Sequence, residues 1–177
     1  MWEQRRKQSG VMQGELAAEV IQKNTQIDKN RDGKIQYVVL EGEAGHQDSI
    51  IRTGNAVDTI KKQWNRAGKL SYQIANWNRV QAQNRMEQLI SQYQNKIELV
   101  LANNDDMRLE QLNAYKKANY YGIGMAGVFG IDGTDAGLRA LADSELSGTV
   151  YNDKEGQAKA MAKMVEAIGT DEEIAEQ

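Results

Sequence analysis

Residues 28–41 read DKNRDGKIQYVVLE, and the fold depends on the structure taken by the chain after the turn at Asp32-Gly33. Acidic or amide side chains stand at alternate positions, Asp28, Asn30 and Asp32, and Gly33 comes next. An Asp-Gly pair favours positive φ, and Asn and Asp side chains bond their own backbone, so the stretch makes a tight turn. Ile35, Tyr37, Val38 and Val39 then supply the β-branched and aromatic residues of a strand. The spacing therefore predicts a strand or short β-hairpin near residues 26–40. The same oxygens, at every second position, also suit a hard cation.

In that second sense the loop resembles the first half of EF-hand and dockerin-type calcium loops. Asp28, Asn30 and Asp32 fall on ligand positions, and Gly33 falls on the turn glycine. Lys34 offers its carbonyl and Gln36 its side chain, but Val39 stands where the closing carboxylate belongs and Glu41 comes too late. The resemblance implies a calcium-binding interaction module built on Asp28, Asn30, Asp32, Lys34 and Gln36. A plain turn uses the same residues, and both readings stay open. No other cofactor is expected.

Outward from this stretch the chain reads as helix. It has 177 residues and no proline, where ordinary usage gives about nine. Proline breaks helix interiors, so its absence permits long helices. The first covers about 4–25. A second starts at Asp48 or Ser49 and stops at Gly68. The longest, capped by Ser71, covers about 72–102. Its apolar stripe of Met86, Leu89, Ile90, Tyr93, Ile97 and Val100 has coiled-coil spacing. The polar NNDD at 103–106 breaks it, and MRLEQLNAYKKANYY resumes to 121. The two pack as an antiparallel hairpin over 72–121. Short helices come after it, capped by Thr134, by Asn152 or Asp153, and by a Thr170–Glu173 capping box. The expected fold is mainly α, in segments 1–47, 48–121 and 122–177.

The composition excludes several chemistries. There is no cysteine for a thiolate metal site, and one histidine, His46, rules out a multi-histidine site in one copy. His46 has no visibly paired nucleophile, so no enzyme is expected. GIGMAG (122–127) matches G-x-G-x-x-G, but a helical pattern precedes it where a dinucleotide site needs a strand. Trp2, Trp64 and Trp77 suit base stacking beside basic residues, or anchoring of an interface. Lys and Arg outnumber Asp and Glu by 14 to 10 in residues 1–90, and are outnumbered by 15 to 8 in residues 91–177. Such polarity can orient stacked copies.

Proline-free helices rich in Gln, Asn and Ala, followed by the apolar YYGIGMAGVFG (120–130), resemble the smaller internal virion (ejection) proteins of short-tailed phages over about residues 70–165. The resemblance implies a structural protein carried in the capsid, released with DNA, and packed against itself and other assembly proteins. Trp64, Trp77, Met86, Leu89, Ile90, Tyr93, Ile97, Val100, Gly122, Gly124, Gly127 and Gly130 are its expected interface. An adaptor for nucleic acid or the cell envelope is the third reading. Residues 120–131 could touch a membrane, but no apolar run approaches the roughly 20 residues of a span. The charged opening MWEQRRKQSG shows no secretion-signal pattern, so the expected location is the virion, or the cytoplasm during assembly.

Overall fold

In the computed structural model, residues 2–107 and 127–169 are described. Their order is α1 (Trp2–Lys23), β1 (Ile35–Glu41), α2 (Gln47–Gln63), β2 (Ala67–Ile74), α3 (Arg79–Tyr93), β3 (Leu99–Ala102), β4 (Gly127–Asp132), α4 (Asp135–Ala142), β5 (Gly148–Tyr151) and α5 (Lys154–Gly169). The strands form one five-stranded sheet in the order β2-β1-β3-β4-β5. Every pairing is parallel.

Alternate residues of β1 serve two cores. Val38 and Leu40 join Val100 and Val128 beneath Met86, Leu89 and Ile90 of α3. Tyr37 and Val39 join Leu99, Leu101 and Phe129 beneath Ala17 and Ile21 of α1 and Val57 and Ile60 of α2. Helices thus cover both faces, the arrangement that parallel strands require because their crossover helices lie on the sheet.

The mainly helical expectation is wrong, and the fold is α/β. The strand after the Asp-Gly turn is real, but it is a central strand of a parallel sheet and not half of a hairpin. The error lies in the supposed long helix over 72–102. Its first residues close β2, and Asn76 and Trp77 both take left-handed backbone, at φ 51° and 56°. Asn78 then caps α3, its side chain accepting from Gln81 N–H at 3.0 Å. The apolar spacing of α3 carries on into IELVLA, where Val100 is a strand residue. A strand buried on both faces loses its alternation and cannot be told by period from a buried helix. GVFGID gives no strand signal for the same reason, and GTVY is an edge strand of only four residues, yet they form β4 and β5. No 72–121 hairpin forms around β2 and β3; its expected second arm, 108–121, lies outside the described residues, as does the 170–173 capping box. The helix expected to stop at Gly68 ends at Gln63, and Gly68 is within β2. The one sheet draws β1 from segment 1–47, β2 and β3 from 48–121, and β4 and β5 from 122–177.

Candidate binding site at the carboxyl rim of the sheet

In a parallel sheet all strands finish at one rim. Here the chain starts at β1, moves outward to β2, then returns to β1's other side with β3. Strand order reverses between β1 and β3, and the crevice outside the carboxyl ends at such a reversal is where open α/β sheets bind ligands. The segments arriving there carry His46, Arg52, Trp77, Asn103, Asn104, Asp132 and Asn152.

These groups meet. The Arg52 guanidinium is 3.5 Å from an Asp132 carboxylate oxygen, and lies 5.9 Å over the Trp77 ring. His46 sets its ring edge-on to Trp77 at 5.4 Å. Its Nδ1 accepts from the Asp48 N–H at 3.2 Å and so caps α2. Asn152 Nδ2 donates to Asp132 at 3.5 Å, and Gln157 Nε2 holds Asn152 from behind at 2.6 Å. Arg52 Nη1 donates to the Asn103 carbonyl at 2.7 Å, while its buried Nε has no partner among the described residues. The contacts to Asp132 are long for hydrogen bonds, which leaves capacity for a third party. A cleft of about 370 Å³ opens beside Asn152, lined by Met12, Tyr151 and Gln157 among others.

Local structure fixes the display. A Cβ on Gly42 would sit 2.1 Å from Trp77 Cζ2, so only glycine lets the indole lie across the end of β1. Asp132 ends β4 with φ 120°, a conformation L residues rarely hold. Burial raises the Asp132 carboxyl pKa, Arg52 opposes that rise, and nearby Asp105 adds to it. An arginine fork, a carboxylate, carboxamides and an indole face together offer donors, acceptors and an apolar plate. That set suits a small molecule with several hydroxyls and a C–H face.

The predicted calcium loop lies at the opposite rim, before β1. Asp28 accepts from the N–H groups of Asp32 and Gly33 at 3.2 and 2.8 Å. Asp32 accepts from Lys34 N–H at 2.7 Å and from Gln36 Nε2 at 2.9 Å, and the first of these bonds leads the causes that lower its carboxyl pKa. Asn30 Oδ1 accepts from Asp32 N–H at 2.9 Å. The sequence did not show that buried Glu98, just before β3, reaches into this loop. Its two oxygens accept from Lys29 N–H at 2.7 Å and Gln36 N–H at 2.9 Å. Burial raises the Glu98 pKa, those N–H groups lower it, and Asp28 raises it. Among the described residues no three His, Cys, Asp or Glu side chains surround one point in metal-binding fashion.

Of the expected interface residues, Met86, Leu89, Ile90, Ile97 and Val100 lie in the chain's own core. Tyr93 donates its hydroxyl to the Leu70 carbonyl at 3.1 Å, and Trp64 packs on the opposite core. Trp77 stands at the carboxyl rim. Gly127 and Gly130 are buried in β4, and a Cβ on Gly130 would be 2.2 Å from Asp105 Oδ1. Gly122, Gly124 and the side chain of Trp2 lie outside the described residues. The part of 120–131 that is described is sheet interior, and no described helix is long and apolar enough to cross a membrane.

A family model for a periplasmic binding protein domain matches residues 2–173. The chain is 34% identical over 159 residues to the D-galactose/methyl-galactoside binding periplasmic protein of Haemophilus influenzae, covering 89% of this chain and 47% of that one. It is 32% identical over 142 residues to a xylitol-binding protein of Mycolicibacterium smegmatis, covering 80% and 40%. The chain thus spans about half the length, or less, of these curated relatives. Among solved structures, a transporter solute-binding protein of Actinobacillus succinogenes with bound D-allose superposes with TM-score 0.82 at 20% identity over 96% of this chain and 56% of that one. One from Bacillus halodurans with bound myo-inositol gives 0.78 at 26% identity, over 95% and 54%.

These matches overturn the phage resemblance, and with it the assembly function, the virion or cytoplasmic location, and the structural-oligomer and nucleic-acid partners. The family model is that of a periplasmic binding protein domain, and the Haemophilus influenzae relative is named as a periplasmic galactoside-binding protein. The similarity to ejection proteins rested on amide-rich, proline-free composition, which a parallel α/β domain can share. The calcium module is likewise no longer the reading of the protein's function. This chain belongs to the periplasmic binding protein domain family.

Proposed function

We propose that the chain forms one wall of a binding site for a small sugar or polyol, acting outside the cytoplasm in uptake or sensing, and that it releases its ligand unchanged. The observation that carries this is the convergence of Arg52, Trp77, Asp132 and Asn152 at the strand-order reversal. Relatives named for galactose and xylitol, and solved neighbours holding D-allose and myo-inositol, support the ligand class. Trp77 is the natural reporter. Titration with D-galactose, D-allose, xylitol and myo-inositol is expected to change its fluorescence saturably for at least one of them. Arg52→Ala is expected to weaken that binding about ten- to a hundredfold, the loss for hydrogen bonds to a charged group. No response to any of the four, or an unchanged response in the variant, contradicts the reading.

A second reading concerns the opposite rim, where Glu98 supplies the carboxylate that Val39 cannot. We infer that Asp28, Asn30, Asp32, the Lys34 carbonyl, Gln36 and Glu98 can re-aim onto calcium, a stabilising cation apart from the ligand. Asp28 and Glu98 already hold this one loop from two sides, Asp28 through the Gly33 N–H and Glu98 through the Lys29 and Gln36 N–H groups, so two carboxylates converge on it. At a hundredfold excess over Kd, calcium is expected to add about 2.7 kcal/mol of stability. That is a rise of very roughly 5–10 °C in melting temperature for a chain this size. Glu98→Gln should abolish the rise. An unshifted melting temperature with calcium ends this reading and leaves the sugar site untouched.

A further inference from the structure

Asn103 comes directly after β3 and is only 1% exposed. Its side-chain oxygen accepts from the Gly42 N–H at 3.1 Å and from the Ser49 hydroxyl at 3.0 Å. Its amide nitrogen donates to Thr53 Oγ1 at 3.0 Å. Both lone pairs and one donor are spent inside the protein, so this amide has little left for a ligand. Its neighbour Asn104 instead accepts from Met107 N–H at 2.9 Å and is only half-buried.

Ser49, Arg52 and Thr53 lie three and four residues apart on α2, and so on one face. All three are buried, at 3%, 8% and 5% exposure. A buried polar stripe on a helix is costly unless each group is bonded. Asn103 bonds all three, two through its side chain and Arg52 through its carbonyl. The Gly42 N–H ties the same side chain to the end of β1, beneath Trp77. One residue therefore sets the depth and rotation of α2 against the rim.

We propose that Asn103 is a positioning residue of the binding site: its side chain clamps α2 so that Arg52 stands between Trp77 and Asp132. The affinity part rests on the sugar reading above; the placement of Arg52 does not. Asp could still accept from the Gly42 N–H, Ser49 and a rotated Thr53 hydroxyl, but only by burying a charge where the neutral amide needs none. An apolar side chain would leave the Gly42 N–H, Ser49 and Thr53 without partners.

The test compares Asn103→Leu, Arg52→Lys and the double variant, with the milder pair Ser49→Ala/Thr53→Val, which removes the clamp's partners and leaves Asn103 in place. Two readouts are taken well below each melting temperature. The first is affinity for whichever of D-galactose, D-allose, xylitol and myo-inositol the wild type binds. Asn103→Leu, or the milder pair if that variant does not fold, should weaken binding at least tenfold. The double variant should lose no more than its worse parent. The second is the nitrogen-15 spectrum of the arginine side chains without ligand. A distinct Arg52 Nε resonance in the wild type should collapse toward the exposed-arginine position in the clamp variants. Multiplicative losses in the double variant, or an Arg52 resonance unmoved by clamp loss, overturns the proposal. A wild type that binds none of the probes counts against the sugar reading alone, and the Arg52 resonance then decides this one.

Discussion

At the residue scale the two rims carry opposite kinds of titrating group. Lys29 donates its ammonium to the Ile97 carbonyl at 2.7 Å. Burial lowers its pKa from 10.5 to about 8, and Glu98 only partly opposes that. The folded value lies below the unfolded one, so between about pH 8 and 10.5 the unfolded chain holds more protons. Stability from this group therefore rises with pH across that window. Wild type should gain melting temperature between pH 8 and 10.5 relative to Lys29→Met. A constant difference between the two curves would mean that Lys29 is not desolvated. Asp132 carries the reverse sign. Its raised pKa means that its protonated form fits the fold better, so its contribution is largest below the ordinary 3.8 and fades as pH climbs through the raised value. Asp132→Asn should flatten that decline in thermal scans while damaging ligand binding. Equal slopes in the two scans would show that Asp132 is not perturbed.

At the element scale the sequence exposed what has period or chemistry and hid what has neither. The turn at Asp28–Gly33 and the strand after it were readable because Asp-Gly and alternate β-branched residues each have a local cause. Thr134 was readable as a cap, and it accepts from Gly137 N–H at 3.1 Å as such a residue should. LVLA and GVFGID were not, because a strand buried on both sides has no polar face to mark it, and GTVY, an edge strand of four residues, is too short to show a period. The site was hidden for a related reason. His46, Arg52, Trp77, Asp132 and Asn152 share no spacing, and only the parallel topology brings them to one rim. One trace was present: in LANN, GID and VYND an Asn or Asp ends each apolar run, where a strand leaves the sheet. The close fit of Trp77 on Gly42 makes a direct test of the β1–β2 rim. Gly42→Ala should cost about 1–3 kcal/mol by overpacking and shift the Trp77 emission. Chemical denaturation and fluorescence of one sample read both. Unaltered stability and emission would mean that the indole does not rest there.

For the whole molecule, a sheet covered on both faces keeps the carboxyl rim as a rigid platform, and the proposed binding groups reach it from α2, from the end of β4 and from the segments after β1, β2 and β5. Rigid elements hold such a constellation better than loops alone. Binding should therefore leave the two cores undisturbed and be felt only where the strands end. The most direct measurement is the map of backbone amide shifts in nitrogen-15-labelled protein as D-galactose, or whichever of the four probes binds tightest, is added. Perturbations should concentrate at 42–52, 76–78, 103–106, 132–134 and 152, with the loop at 28–36 silent. Shifts centred elsewhere, or none at millimolar ligand, would contradict the placement of a sugar site at this rim.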